Sequence, residues 1–75
     1  MTQFPQISMK AARVNANLSQ EEAARLLGVG KSTLQSYESG QTIPDILFSR
    51  RMEKVYKFPA DYIFFGSDNA LSVKD

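Results

Sequence analysis

Ser19 and Glu22, three residues apart, open an apolar run that stops at Gly28, and this bracketed segment constrains the fold more than any other part of the chain. A serine followed at that spacing by glutamate is a capping box. The hydroxyl accepts from one free N–H of the helix start, and the carboxylate accepts from another. Leu18 ahead of the cap and Ala23 behind it can close a hydrophobic staple, while Ala23, Ala24 and Leu27 carry an apolar face as far as Gly28. The pattern predicts a helix that starts after Ser19 and ends at Gly28.

Similar punctuation divides the remaining chain. A first helix is expected from about Ser8 to Ala16, with Met9, Ala12 and Ala16 on one face and Asn17 in the left-handed position that closes it. A third runs from about Lys31 to Glu38, with Leu34 and Tyr37 inward and Gly40 as terminator. Its start is open: Gly30 is an acceptable N-cap, but Ser32 with Gln35 spells a second capping box two residues later. A fourth follows Pro44, capped by Asp45 and carrying Leu47, Phe48, Met52, Val55 and Tyr56 to about Lys57. Pro59 suits the first turn of a short fifth helix, "PADYIFF", ending at Gly66.

No strand-type alternation of useful length appears, so the expected fold is all-α, a compact bundle of five short helices over residues 8–66. Residues 1–7 read as a loose arm containing Pro5, and residues 67–75 as a patternless, disordered tail.

Seventy-five residues make one small domain with little core to spare. The chain has no cysteine and no histidine, which removes disulfides, thiolate chemistry and the commonest metal ligand and general base. No enzyme activity, metal or cofactor is therefore expected. Nine Lys and Arg against eight Asp and Glu leave a net charge of +1, too little to argue for nucleic acid from composition. Lys10, Arg13, Arg25 and Lys31 are interrupted by Glu21 and Glu22, and Arg50, Arg51, Lys54 and Lys57 gather later; most of these suit solvated helix faces. No apolar run approaches the roughly 20 residues that span a bilayer, and the start lacks a secretory signal, so a cytoplasmic location away from membranes is expected.

The stretch "GVGKST", residues 28–33, resembles the end of a phosphate-cradling nucleotide loop. That motif needs an earlier glycine where Arg25 stands, and a buried strand where the capped helix lies. What remains is helix, tight glycine turn and helix, the outline of a helix-turn-helix unit. On the third helix, Lys31, Ser32, Gln35 and Ser36 form a short-chained polar face opposite Leu34 and Tyr37. Such a helix fits a major groove roughly 12 Å wide, where Lys can donate to guanine, Gln can pair with adenine and Ser can serve either. A face that is merely solvated would look the same.

The stretch "LSQEEAARLLGVGKSTLQSYESGQTIP", followed by "VYKFPADYIF", resembles the Cro/repressor-type (XRE-like) helix-turn-helix family, the class of the lambdoid phage repressors, over about Ser8 to Gly66. The resemblance implies that Gln20 contacts a DNA phosphate and that Lys31, Ser32 and Ser36 read bases. Thr33 and Gln35 would touch backbone or bases, and the loop Gly40, Gln41 and Thr42 would approach the second strand. It also implies a partly buried salt bridge between Arg13 and Glu38, although Arg13 could otherwise meet a phosphate. Three departures stand out. Gly30 replaces a hydroxyl cap, Ser49 and Arg50 stand where apolar residues are common, and Lys57 replaces a frequent glycine. The second departure suggests a shifted register, with Leu47 and Phe48 supplying the core.

The expected function is a sequence-specific, double-stranded DNA-binding transcriptional regulator, a repressor of phage or mobile-element type acting by operator occupancy. The aromatic end, Phe58, Tyr62, Ile63, Phe64 and Phe65, holds more apolar bulk than a small core easily consumes. Phe58, Tyr62, Phe64 and Phe65 are thus the candidate homodimer surface on the C-terminal helix; alternatively, all of them are spent in the core. The competing function is a protein-interaction module on the same fold, an antitoxin or the partner of a protein antirepressor.

Overall fold

The computed structural model describes residues 6–65. Four α-helices follow in chain order: α1 (Met9–Asn15), α2 (Gln20–Leu27), α3 (Lys31–Ser39) and α4 (Ile46–Tyr56). A 3-10 turn over Ala60–Tyr62 comes next. Two short strands, β1 (Ile7–Ser8) and β2 (Ile63–Phe64), pair in parallel with Ile7 opposite Ile63 and Ser8 opposite Phe64. Among the described residues, no helix is long and apolar enough to cross a membrane.

Three of the helices, α1, α2 and α4, start where the sequence supplies a side-chain acceptor for free N–H groups. The Ser8 hydroxyl accepts from Ala11 N–H at 3.0 Å, and the Asp45 carboxylate accepts from Phe48 N–H at 2.9 Å. At α2 both halves of the capping box form, with Ser19 N–H donating to Glu22 at 2.9 Å and Glu22 N–H donating to the Ser19 hydroxyl at 3.1 Å. The ends are equally local. Gly28 and Gly40 close α2 and α3 in the left-handed region, at φ 76° and 84°. Asn17 takes φ 63° after α1, and Lys57 takes φ 56° after α4. Lys57 thus adopts the geometry that glycine fills without steric cost.

Among the described residues there are four α-helices instead of the expected five, and the fold is not purely helical. "PADYIFF" makes one 3-10 turn and then extends, with Ile63 at φ −103° and ψ 125°. The reason is competition for backbone partners. Glu53 accepts from Ala60 N–H at 2.8 Å, which anchors the turn, and the edge offered by Ile7 and Ser8 draws Ile63 and Phe64 into a ladder. Ile7, assigned to the arm on sequence, lies in that pair; residues 1–5, Gly66 and the tail fall outside the described residues.

Met9, Ala12, Ala23, Ala24, Leu27, Leu34, Phe48, Met52, Tyr56 and Ile63 form the core. On α4, Phe48, Met52 and Tyr56 recur every fourth residue and define the buried stripe. Leu47, expected inside, lies off that stripe and is 70% exposed. Ser49 is buried in its stead, its hydroxyl donating to the Asp45 carbonyl at 3.2 Å. Arg51 reaches back to the end of α2 and donates to the Leu27 carbonyl at 2.9 Å, so this member of the later basic cluster serves as a helix cap.

Candidate nucleic-acid interface

The turn between α2 and α3 is built from three residues. Gly28 supplies the left-handed bend, half-buried Val29 packs against the core, and Gly30 extends at φ −75° and ψ 158° as the N-cap of α3. Val29 N–H donates to the Ala24 carbonyl at 3.0 Å, locking the turn onto α2. The alternative start at Ser32 is not used. Because Gly30 brings no side-chain acceptor, the first N–H groups of α3 are left without a capping side chain at the end where the helix dipole favours anions.

Leu34 is fully buried beneath this helix and Tyr37 is half-buried, edge-on to Phe48 with ring centroids 4.8 Å apart. Pinning that side turns the other outward. Lys31, Ser32, Thr33 and Gln35 are exposed, and Ser36 is half-buried. The Ser36 hydroxyl lies 3.3 Å from Gln41 Oε1, while the Ser36 carbonyl accepts from Gln41 N–H at 3.0 Å and Thr42 N–H at 3.3 Å. The loop after α3 is thereby folded against the same face, with Gln41 and Thr42 exposed.

Beneath this surface lies an ion pair. Arg13 on α1 and Glu38 on α3 meet through Nε to Oε2 at 2.7 Å and Nη2 to Oε1 at 3.3 Å, with side chains only 9% and 6% exposed. Arg13 Nη1 also donates to the Leu18 carbonyl at 2.9 Å, so its main donors are occupied. The network continues outward. Gln20 Nε2 donates to Glu38 Oε1 at 3.1 Å, and Gln35 Nε2 donates to Gln20 Oε1 at 3.2 Å. The sole buried polar side-chain atom without a partner among the described residues is the Tyr56 hydroxyl; burial first, then the charge of Glu38, push its pKa up to about 12, so the phenol stays neutral.

Lys10, Arg13, Ser19, Gln20, Glu21 and Lys31 line an open hollow of about 540 Å³ at the meeting of α1, α2 and α3. Lys10 was not singled out as a contact on sequence. It stands 21 positions from Lys31, and only the packing of α1 brings the two to one hollow, so no local motif could flag it. Lys31 Nζ lies 4.0 Å from Glu21 Oε2, a loose pair between exposed side chains. The four aromatics expected to offer a dimer surface are elsewhere and all half-buried, with Phe58 and Phe65 packed on the core.

A protein-family model described as "Helix-turn-helix" matches residues 9–63. The chain is 34% identical over 62 residues to a cryptic phage CTXphi transcriptional repressor, RstR, of Vibrio cholerae. That match covers 83% of this chain and 56% of the relative, so the chain spans little more than half the relative's length. No solved structure matches. The family match runs from the first residue of α1 into β2, through the capped helices, the glycine turn and the polar face just described, and the chain belongs to the XRE-type helix-turn-helix family.

Proposed function

We propose that the chain is a sequence-specific, double-stranded DNA-binding transcriptional repressor of phage type, acting by operator occupancy in the cytoplasm. The observation that carries this reading is the exposed first turn of α3, Lys31, Ser32 and Thr33, standing beside Gln20 at the start of α2. A nine-residue helix is roughly 14 Å long, and its small outer side chains let the backbone sit deep in a major groove. Lys31, Ser32 and Ser36 read base edges. Gln20, Lys10 and the free N–H groups at the start of α3 hold one phosphate strand, and Gln41 and Thr42 approach the other. Thr33 and Gln35 lie between these groups and touch backbone or bases. The relative's description as a transcriptional repressor supports the direction of control.

Phosphate contacts release counterions, so affinity for duplex DNA falls with salt with a log–log slope of about −0.9 per phosphate neutralised. Titration of a labelled duplex by fluorescence anisotropy over a salt series measures this slope. A flat dependence from folded protein would contradict the reading. Lys10→Ala lowers the slope by about one and leaves base preference unchanged.

A further inference from the structure

We propose that Arg51 is a positioning residue for the reading helix: from α4 it clamps the turn between α2 and α3, and so sets the angle at which Lys31 and Ser32 are presented. Its Nη1 donates to the Leu27 carbonyl at 2.9 Å, a bond between residues 24 positions apart. The guanidinium is thereby seated where the last carbonyls of α2 lack helical partners and where the helix dipole favours a cation. Leu27 ends α2, and only the turn of Gly28, Val29 and Gly30 separates it from Lys31.

The three turn residues are held unequally. Val29 fixes the middle through its N–H on the Ala24 carbonyl. Gly30 brings no capping side chain to α3, and a Cβ built there would meet nothing within 4 Å. Gly28 is the opposite case, because a Cβ added to it would lie 3.1 Å from Arg51 Nη1, closer than ordinary van der Waals contact. The guanidinium thus rests against the bare backbone of the left-handed bend, φ 76°, the point about which α3 would swing. Its own base is fixed, since Met52, the next residue along α4, is fully buried.

The clamp rests on this geometry, and its consequence for sequence reading rests on the proposed function. Reading a base edge requires side chains held within about 0.5 Å and roughly 10–20° of the productive geometry. Attraction to phosphates is less exacting, because it acts over a Debye length of roughly 8 Å and carries no sequence information. A loosened turn therefore costs base discrimination before it costs general affinity. Arg51 as a whole is an exposed residue, so a direct phosphate contact is the competing role.

The test compares the full chain with Arg51→Met, which keeps the apolar stem and removes the donors, and Arg51→Lys, which keeps a cation and a donor. Amide hydrogen exchange followed by NMR reads the clamp without DNA. In Arg51→Met, the N–H groups of Val29 and Leu34, bonded to the Ala24 and Gly30 carbonyls, are expected to exchange about tenfold faster relative to the α4 amide of Tyr56. Arg51→Lys is expected to recover most of that protection. Equal acceleration at all three amides would mean general destabilisation and overturn the assignment, as would no acceleration at all. On DNA, competition over single-base variants of a site is expected to show the gap between preferred and altered sequences narrowing about tenfold in Arg51→Met, with the salt slope unchanged. A slope lowered by about one with the gap intact would make Arg51 a phosphate contact and overturn the positioning role. Loosened turn amides in Arg51→Met, beside a wild type that binds no duplex, would sink the DNA reading while upholding the clamp.

Discussion

Gln20 hangs from Glu38: its Nε2 donates to Glu38 Oε1 at 3.1 Å, and its own Oε1 accepts from Gln35 at 3.2 Å. A carboxylate can only accept, so Glu38 decides which end of the Gln20 amide faces inward, and Gln35 takes the other end. On the proposed function, the second Nε2–H of Gln20 is the one that reaches a phosphate. The buried Arg13–Glu38 pair and the outer amides are therefore one continuous network, which ties the folding of the core to the geometry of the proposed DNA face.

Glu38→Ala is expected to destabilise the domain by about 3–5 kcal/mol, because Arg13 would remain buried without its counter-charge. Replacing both partners, Arg13→Met with Glu38→Leu, costs much less. Urea unfolding measures both, and a loss below about 1 kcal/mol for Glu38→Ala would mean that the pair is solvated. Loss of DNA binding in these variants reports unfolding or a released Gln20, and no direct contact.

Lys31→Ala and Gln20→Ala should fail differently on DNA. The first costs roughly 1–3 kcal/mol on the preferred sequence and relaxes preference at one position. The second weakens all sequences alike. Competition binding over single-base variants of a site separates the two patterns, and equal losses on every sequence from both variants would show that this division of roles is wrong.

Glu21 holds Lys31 at 4.0 Å in an exposed pair and places a negative charge in the hollow beside Gln20. Glu21→Gln should tighten duplex binding, most at low salt, and leave the melting temperature in place. Weaker binding in this variant would mean that Glu21 orients Lys31 productively, and that the hollow does not face a phosphate.

Acid sensitivity should be written into the start of α2. The backbone N–H of Ser19, and then its hydroxyl, hold the Glu22 carboxyl below its ordinary 4.5. A folded pKa lowered in this way contributes stability that is present above pH 4.5 and fades as the pH falls through the lowered value. Glu22→Gln keeps an acceptor for Ser19 N–H without the titration. Thermal melts from pH 7 downward should show the wild type's advantage over this variant shrinking below about pH 4.5; a constant gap would contradict the assignment.

Local chemistry was legible in the chain and long-range competition was not. The capping box of Ser19 and Glu22, the left-handed Asn17, Gly28 and Gly40, and the Asp45 cap depend on a few neighbouring residues, and each stands where its sequence puts it. Ile63 and Phe64 became strand because Ile7 and Ser8, more than fifty positions away, offered them a ladder. Leu47 was placed inside on hydrophobicity, but the stripe through Phe48, Met52 and Tyr56 turns it outward. At the candidate site, the polar face of α3 could be read from its spacing. Lys10 joins it only through the packing of α1, and the Gln20–Gln35 bond spans two helices.

The most direct test of the account is selection from a pool of random duplex DNA at one near-physiological salt concentration, with Lys31→Ala, Ser36→Ala as the control protein. The wild type is predicted to enrich a motif that the control protein loses. Folded wild type that enriches no motif, or a control that enriches the same motif equally well, would contradict it.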